Sequence, residues 1–322
     1  MSKILITGSS GFIGTSLTSY LINNKYEVLG IDKQLPTDKS HEPYFLRCDI
    51  LDAENLEKVI QEFSPNVILH LAARIDLDEK YDIKGYEANI QGVENLINTI
   101  RRTSSVKRCI FTSSQLVCKV GYIPKDEFDY APHTLYGESK VLTEKIVREQ
   151  DGGGAEWSLV RPTTVWGPGM SPHYQNFLKM IETGRYFHVG KRPLYKSYSY
   201  VGNIVYQYHK LMEATTSQIH RQTFYLADYE PISLREWVNA FQIEFGADPI
   251  RSYPEGIVNF LAHIGNLINN FGFKSFPFNT FRQNNILTEY VFDLSKTKEV
   301  CGQLPYTTEQ GIKETVKWLL SK

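Results

Sequence analysis

The chain has 322 residues, 42% of them hydrophobic, which is enough to bury a large core and normally to form two lobes. A formal net charge of −1 excludes the strongly basic character of most nucleic-acid-binding proteins, so we expect no nucleic-acid partner. The scattered cysteines and the short N-terminal apolar run predict no disulfide framework, no metal site and no signal peptide, and therefore a cytoplasmic protein.

The first motif joins a strand to a helix through three glycines. Residues 3–7 form an apolar, β-branched run typical of a buried parallel strand, and Gly8-Ser9-Ser10-Gly11-Phe12-Ile13-Gly14 follows at once. An amphipathic helix is predicted over Phe12–Asn23. Such a loop lets the backbone approach a pyrophosphate at the N-terminus of the helix. A plain glycine turn is the alternative, and the strands that follow favour the pyrophosphate site.

Three later strand ends carry residues suited to the rest of a dinucleotide. The second strand ends in Asp32, whose carboxylate would accept the adenosine ribose hydroxyls and repel a 2′-phosphate. This favours NAD over NADP, although Lys33 weakens the preference. The third strand ends near Asp49, which could meet the adenine amine. The fourth, residues 67–73, ends in small residues that let a cofactor lie close, and His70 inside it is expected to be a core histidine.

A tyrosine and a lysine are spaced for proton transfer. Tyr136 and Lys140 lie four residues apart, a spacing that brings both to one face of a helix. The lysine ammonium is expected to favour the phenolate and so lower the pKa of Tyr136 toward the working pH. The hydroxyl of Ser114, twenty-two residues upstream, can hold a substrate alcohol in line with the tyrosine oxygen. The trio predicts proton transfer on a carbinol, with hydride passing to a nicotinamide.

A family resemblance joins these motifs. It is carried by residues 8–14, by His70-Leu71-Ala72-Ala73, by Ser114, Tyr136 and Lys140, and by residues 161–169 and 293–313. Together they resemble the extended short-chain dehydrogenase/reductase family, and within it the branch of nucleotide-sugar epimerases, dehydratases and reductases. The likeness covers nearly the whole chain. It is specific for the fold and the cofactor class and much less specific for the substrate.

The expected fold is α/β: a doubly wound parallel-sheet Rossmann domain with a smaller mixed α/β substrate lid domain. Strands and helices alternate as far as residue 161, a pattern that requires a parallel sheet. The expected boundaries are 1–165 for the NAD-binding domain, with later returns near 203–227, and 166–322 for most of the lid. An apolar helical face between residues 256 and 273 predicts a packed lid helix, because the opposite face lacks the Lys and Arg of a membrane-surface helix.

The resemblance implies a role for each matching residue. Tyr136 would be the acid/base, Lys140 would hold the nicotinamide ribose, and Ser114 would orient the sugar hydroxyl. The residues expected to contact NAD are Gly8, Gly11, Phe12, Ile13, Gly14, Asp32, Lys33, Asp49, Ile50, Leu71, Ala72, Ala73, Arg74, Asn89, Pro162 and Thr163. Those expected to contact a nucleotide-diphosphate sugar are Thr164, Asn176, Phe177, Lys196, Arg282 and Tyr290. A homodimer is one candidate assembly.

Within the substrate set, Asn176 and Phe177 match a pair that contacts the nucleotide through the backbone. Lys196 and Arg282 would supply positive charge to the diphosphate. Tyr290 matches the position that limits the space around C2 of the sugar, and its bulk would crowd an N-acetyl group. The resemblance therefore favours a plain or deoxy hexose over an acetamido sugar.

The leading interpretation is a nucleotide-sugar epimerase that uses NAD to oxidise C4 of the sugar transiently. A NAD(P)-dependent reductase or dehydrogenase of a keto-deoxysugar nucleotide is the main alternative, because the same residues serve both reactions. A hydroxysteroid-dehydrogenase-like alcohol dehydrogenase is a third hypothesis. A 4,6-dehydratase is disfavoured, because Gln115 and Leu116 stand where family dehydratases carry an Asp-Glu pair.

Overall fold

The computed structural model describes residues 2–256 and 288–322. Within them the strands are β1 (Lys3–Thr7), β2 (Glu27–Asp32), β3 (Phe45–Arg47), β4 (Val67–His70), β5 (Arg108–Thr112), β6 (Glu156–Pro162), β7 (Thr164–Trp166), β8 (His188–Val189), β9 (Tyr195–Lys196), β10 (Tyr198–Tyr200), β11 (Gln222–Leu226), β12 (Ile232–Ser233) and β13 (Ser252–Tyr253). The α-helices are α1 (Phe12–Asn23), α2 (Ala53–Phe63), α3 (Glu87–Arg101), α4 (Leu135–Glu149), α5 (Pro172–Glu182), α6 (Val201–Glu213), α7 (Thr216–Ile219), α8 (Leu234–Phe245), α9 (Ser295–Cys301) and α10 (Thr308–Leu320). Short 3-10 helices span Lys39–Tyr44, Ile83–Tyr86, Gln115–Val117 and Asp151–Gly154.

Seven of the described strands form one parallel sheet in the order β11-β6-β5-β4-β1-β2-β3. The direction of winding reverses between β1 and β4, and open α/β sheets bind ligands in the crevice outside the strand ends at such a point. Thr7, the last residue of β1, lies opposite Ile31 in β2 and His70 in β4. The loops after β1, β2 and β4 therefore meet at one edge of the sheet, as the sequence predicted.

The first strand shows why both faces of this sheet are covered. Successive side chains of a strand point to opposite faces, and Leu5 packs in one apolar core while Ile4 and Ile6 pack in another. The core around Leu5 includes side chains of α2 and α3, and the core around Ile4 includes side chains of α1 and α6. Helices on both faces of a parallel sheet confirm the expected doubly wound α/β fold.

Two strands end earlier than the sequence predicted, while β1 and α1 have the predicted bounds. β3 ends at Arg47 and β4 at His70. After β4 the backbone N–H of Ala72 donates to the side-chain Oγ1 of Thr7, over 3.1 Å, rather than to a neighbouring strand. The chain thus leaves the sheet at residue 71, and the small residues that follow line the crevice.

Beyond β6 the chain builds small sheets and then returns to the main one. β7 pairs with β10, β9 with β12, and β8 with β13. β11 pairs with β6 in the main sheet and α6 packs on α1, contacts that a later return to the first domain would make. The boundaries 1–165 and 166–322 stay a prediction. Arg282 and residues 257–273 of the predicted lid helix lie outside the described residues.

None of the helices in the described ranges combines the length and the apolar character needed to cross a membrane.

Candidate active site

The glycine loop folds tightly between β1 and α1. Gly8 has a φ of +72°, which an L side chain rarely adopts, and a Cβ there would lie 2.6 Å from the backbone nitrogen of Ala72. A Cβ at Gly14 would collide with the carbonyl oxygen of Gly8. Gly11 is exposed, and among the described residues a Cβ there would meet only the Gly8 carbonyl oxygen, at 3.2 Å. The outer side of Gly11, at the N-terminus of α1, is therefore open to a phosphate group.

The carboxylate of Asp32 faces this loop from the end of β2. Its Oδ2 accepts a hydrogen bond from the backbone nitrogen of Ser10 at 3.2 Å, and its Oδ1 accepts one from that of Gln34 at 2.9 Å. The carboxylate is thus held beside the N-terminus of α1, where an adenosine ribose would lie. Asp49 lies two residues beyond β3, and its Oδ1 accepts from the backbone nitrogen of Leu51 at 3.0 Å. Both acids lie at the predicted edge of the sheet, and their contacts with a cofactor stay a prediction.

Asn89 links the loop after β4 to α4. Its Oδ1 accepts from the backbone nitrogen of Arg74 at 2.8 Å, and its Nδ2 donates to the Arg74 carbonyl oxygen and to Ser139 Oγ, at 3.0 and 2.8 Å. Both amide hydrogens are therefore used within the protein, and the side chain is buried. Asn89 fixes residues 71–74 against α4, which would support a cofactor indirectly rather than by direct donation.

Ser114 and Tyr136 approach each other between β5 and α4. Ser114 caps the 3-10 helix that follows β5, because its Oγ accepts from the backbone nitrogen of Leu116 at 3.1 Å. Thr134 caps α4 in the same way, accepting from the backbone nitrogen of Gly137 at 3.0 Å. The two helices touch, since a Cβ at Gly137 would collide with the carbonyl oxygen of Leu116. This contact brings Tyr136 close enough to Ser114 for the serine hydroxyl to act on the pKa of Tyr136.

The electrostatics of Tyr136 differ from the sequence prediction. Burial raises the pKa of Tyr136 to about 12, and the hydrogen bond with Ser114 opposes this only in part. Lys140 lies one turn further along α4, but its Nζ donates to the backbone carbonyl oxygen of Thr112 at 2.9 Å. The prediction that the ammonium lowers the pKa of Tyr136 is wrong for this structure, because the lysine charge is directed at the end of β5.

Lys140 is itself perturbed. The residue is 3% exposed, and burial lowers the pKa of Lys140 to about 8, while the carboxylate of Glu144 opposes the shift. Nearby, Nδ1 of His70 lies 2.7 Å from Thr7 Oγ1, and burial together with Lys140 lowers the pKa of His70 to about 3. His70 is a neutral, hydrogen-bonded core residue, as the sequence predicted.

Tyr290 and Thr164 form a wall next to this trio. The Tyr290 hydroxyl lies 2.8 Å from Thr164 Oγ1, which accepts a longer hydrogen bond, 3.4 Å, from Nε2 of Gln115. Gln115 follows Ser114 directly in the chain, so Tyr290 lies on the Ser114 side of the candidate site. The structure therefore brings together two of the residues predicted to contact substrate.

Lys196 belongs to the same wall. It pairs with Tyr290 through an isolated β-bridge, and its Nζ lies 5.0 Å from the centre of the Tyr290 ring. The side chain is buried, and this burial lowers the pKa of Lys196 to about 8. The cation predicted for the diphosphate therefore lies inside the wall beside Tyr290 rather than on the open surface.

Asn176 and Phe177 lie in the middle of α5. Backbone N–H groups in the middle of a helix bond to carbonyl oxygens within it, so they are not available for the nucleotide contact that the resemblance implied. The Phe177 ring stacks on that of Trp237, with 6.2 Å between their centres, whereas Asn176 is exposed. Of this pair, the side chain of Asn176 is the part that can meet a ligand.

Three side chains around Tyr290 were not predicted as site residues: Gln115, Tyr174 and Tyr198. The rings of Tyr198 and Tyr290 lie 6.1 Å apart, and Tyr174 and Gln115 both act on the pKa of Tyr290. The position of Gln115 after Ser114 was the one signal available in the sequence. Nothing in the spacing shows that β10, α5 and residue 290 meet.

The residues around the crevice fit a nicotinamide dinucleotide. The glycine loop leaves Gly11 open at a helix N-terminus, and Asp32 offers carboxylate oxygens at the end of β2. Thr163 follows β6, and its Oγ1 is buried with no hydrogen-bond partner in the part of the chain that the structure describes. In that same part no group of His, Cys, Asp and Glu is arranged to hold a metal ion.

Comparison with known proteins gives relatives across the whole length. The chain is 27% identical to the N-acetyl-alpha-D-glucosaminyl-diphospho-ditrans,octacis-undecaprenol 4-epimerase of Escherichia coli O157:H7, over 98% of this chain and 95% of that protein. It is 25% identical to a 3 beta-hydroxysteroid dehydrogenase/Delta 5-->4-isomerase of Mycobacterium tuberculosis, over 100% and 91%. The sequence relatives thus include both epimerases and steroid dehydrogenases.

Solved structures share the fold. The UDP-glucose 4-epimerase of Thermotoga maritima, solved with UDP-glucose, matches with a TM-score of 0.77 and 21% identity, over 99% of both chains. The UDP-Glc/GlcNAc 4-epimerase of Campylobacter jejuni matches with a TM-score of 0.75 and 17% identity, over 100% of both chains. Residues 4–224 match the model of the NAD dependent epimerase/dehydratase family. The crevice, the trio beside it and this match lead to one conclusion: the chain belongs to the NAD dependent epimerase/dehydratase family.

Proposed function

We propose that the protein is a cytoplasmic epimerase that inverts C4 of a nucleotide-diphosphate sugar by transient oxidation. NAD is the cofactor of its family. The residues that would hold it are the glycine loop, Asp32, residues 71–74 and Thr163, which surround the crevice at the end of β1. Lys140 and Tyr136 would lie where the nicotinamide end meets the sugar.

Each member of the trio has a distinct task in this proposal. Tyr136 takes the proton of the 4-hydroxyl as the C4 hydride leaves, and it returns a proton when the hydride is delivered to the other face. Ser114 holds the sugar oxygen in line with the tyrosine through its Oγ. Lys140 binds the nicotinamide ribose from its fixed place on Thr112. Bound NAD supplies the acceptor and later the donor of hydride.

The observation that carries the proposal is the meeting of Ser114 and Tyr136 at the crevice, with Lys140 one turn away. With a pKa raised to about 12 by burial, Tyr136 keeps its proton near neutral pH. That form donates to a sugar carbonyl oxygen when the hydride returns, whereas the first step needs the phenolate, which the positive charge of a bound nicotinamide ring would favour. The wall places the hydroxyls of Thr164 and Tyr290 next to the trio, and the buried ammonium of Lys196 lies over the Tyr290 ring, surroundings that suit a polar substrate. The similarity to 4-epimerases supports C4 as the reacting carbon.

A second candidate is the oxidation of an apolar alcohol of the steroid type. It is favoured by a cavity of about 520 Å³ that is lined in part by Tyr290. Its lining is largely aromatic and aliphatic and includes Tyr122, Ile123, Tyr195 and Val291, with Glu289 as a charged member. Such a surface fits a fused hydrocarbon ring system better than a nucleoside. The similarity to steroid dehydrogenases supports the same candidate.

The two candidates differ in their net chemistry, which gives the test. The protein would be incubated with UDP-, GDP-, CDP- and dTDP-hexoses, and separately with a 3β-hydroxysteroid and NAD. Conversion of a nucleotide sugar to its C4 epimer without net NADH formation supports the proposal. Stoichiometric NADH formation on the steroid, with every nucleotide sugar unchanged, would replace it by the second candidate.

A further inference from the structure

A glutamate and an arginine form a fully buried ion pair behind the trio. Nε and Nη2 of Arg161 donate to Oε1 and Oε2 of Glu144, each at 2.8 Å, and both side chains are 0% exposed. Such a bidentate pair fixes the relative orientation of the two side chains as well as the distance between them. The mechanism described above uses neither residue.

The remaining acceptor positions of Glu144 are also occupied. Ser113 Oγ donates to Oε1 at 2.6 Å, and the Tyr130 hydroxyl donates to Oε2 at 2.9 Å. Ser113 directly precedes Ser114, and Glu144 lies one helical turn beyond Lys140. One carboxylate therefore joins the segment after β5, which contains Ser113 and Ser114, to the helix that carries Tyr136 and Lys140.

Arg161 extends the network to the strands on the other side. Its Nη1 donates to the Tyr225 hydroxyl in β11 at 3.1 Å, and its Nη2 donates to the carbonyl oxygen of Glu127 at 2.6 Å. Arg161 lies in β6, two residues before Thr163. The pair thus connects α4, β6, β11 and the residue that follows β5, at the end of the sheet where the crevice lies.

We propose that Glu144 and Arg161 are positioning residues, which hold Ser114 and α4 in register and balance the charge next to Lys140. The inference rests on the proposed role of the trio. Glu144 is four residues from Lys140 on α4, so the two side chains are neighbours on the helix surface. Neutralising one member of the pair leaves the charge of the other uncompensated beside the lysine, and the sign of that charge depends on which member is changed.

Lys140 is the group in this region that titrates near pH 8. The other titratable or charged groups that face the pair or the lysine are His70, Cys118, Glu127, Tyr130, Arg148 and Tyr225. The pKa of His70 is about 3, and burial raises the pKa values of Cys118, Tyr130 and Tyr225, so these four are neutral near pH 8. Glu127 and Arg148 form an ion pair at 3.2 Å, so their charges largely cancel.

A second ion pair on the same two strands provides a matched control. Arg108 at the start of β5 and Glu156 at the start of β6 lie 2.7 Å apart, and Arg108 also donates to backbone carbonyl oxygens at the C-terminal end of α6. This pair joins β5 to β6 at the opposite end of the sheet from the crevice. Glu156→Gln therefore disturbs the same strands without changing the charge near Lys140.

The test compares Glu144→Gln, Arg161→Met, the double variant and Glu156→Gln in the full chain. The affinity for NADH is measured by fluorescence across pH, a readout that needs no sugar substrate. Glu144→Gln leaves an unpaired guanidinium, which lowers the pKa of Lys140. The pH above which NADH affinity falls should therefore be roughly one unit lower than in the wild type. Arg161→Met leaves an unpaired carboxylate, so that pH should move up by about as much. The double variant and Glu156→Gln should stay near the wild-type value.

Turnover of the wild-type substrate tests the positioning role separately. The double variant leaves no buried charge unpaired, so it should fold even where a single variant does not. Its kcat should fall roughly 10- to 100-fold with KM nearly unchanged, because the reacting groups lose their alignment.

The charge-balancing role would be overturned if Glu144→Gln and Arg161→Met shifted the pH dependence of NADH affinity in the same direction, or if neither variant shifted it. A wild-type kcat in the double variant, or an equal loss in Glu156→Gln, would overturn the positioning role. Failure of the wild type to convert any sugar would instead count against the proposed function and leave the NADH result standing.

Discussion

The ammonium of Lys140 donates to the backbone carbonyl oxygen of Thr112 over 2.9 Å, which ties α4 to the last residue of β5. The Lys140 side chain is buried, and this burial lowers the pKa of Lys140 to about 8. Burial of the lysine charge lowers the stability of the fold at neutral pH. The hydrogen bond holds the ammonium at Thr112, two residues before Ser114 in the chain. This relationship leads to a prediction about stability and pH.

Lys140→Met should make the protein more stable at pH 7. The pKa of Lys140 is about 8 when folded and 10.5 when unfolded, so the unfolded chain binds more protons between these values. Lys140 therefore disfavours folding by about 3 kcal/mol at pH 7, a cost that is relieved as the pH rises from about 8 to 10.5. After the loss of about 1 kcal/mol for the hydrogen bond, a net gain of about 2 kcal/mol is expected.

Urea unfolding of the wild type and the variant at pH 7 and at pH 10 measures this difference. The gap between the two proteins should narrow at the higher pH. Lys145→Met, at an exposed position on the same helix, is the control and should change stability little at either pH. A Lys140→Met protein less stable than the wild type at pH 7 would contradict the assignment of a burial cost to Lys140.

Tyr136→Phe should lower turnover by roughly two to four orders of magnitude while folding and NADH binding stay nearly intact. In the proposed mechanism the hydroxyl transfers the proton, and the variant retains the ring that packs in the site. Steady-state kinetics and NADH fluorescence measure the two effects. Tyr26→Phe is the control, because that hydroxyl bonds to Glu213 and His209, residues outside the candidate site, and should leave turnover unchanged. Full activity in Tyr136→Phe would mean that another group is the acid/base.

Local patterns predicted the parts of the site that lie on single strand-loop-helix units. The glycine loop, Asp32 and the pair Tyr136 and Lys140 each follow from a few neighbouring residues, and the structure places them at one crevice. The direction of the Lys140 side chain could not be predicted, because it depends on the distance between α4 and β5. The same applies to Glu144 and Arg161, which lie 17 positions apart in the chain and meet through packing of α4 against β6.

Asp32→Ser should erode the preference for NAD over NADP. The carboxylate that would accept the ribose hydroxyls is lost, and with it the repulsion of a 2′-phosphate. Loss of a charged hydrogen bond worth about 1.5–3 kcal/mol corresponds to a weakening of NAD binding by about tenfold or more. Titration with both cofactors measures the ratio. Lys33→Ala removes the adjacent cation and should increase the preference for NAD over NADP. A wild-type protein that clearly prefers NADP would contradict the role given to Asp32.

Tyr290→Ala should admit acetamido sugars. The tyrosine ring fills space beside Thr164, and its removal opens room for a substituent at C2 of the sugar. The ratio of kcat/KM for acetamido over plain sugars should rise roughly 10-fold or more. Tyr290→Phe is the matched control, since it keeps the ring and loses the hydroxyl bond to Thr164, and it should leave the ratio near the wild-type value. A wild type that already prefers acetamido sugars would contradict the prediction.

In the proposed reaction the trio catalyses a reversible oxidation at C4 with no net redox change. The most direct measurement follows a UDP-hexose on the purified protein, with the sugar product identified and the reduced nicotinamide monitored in the same sample. The sugar and its C4 epimer should reach one equilibrium mixture from either side, while no NADH accumulates and no NADH need be supplied. A one-way conversion that consumes NADH or NADPH in equal amount to the product would contradict it.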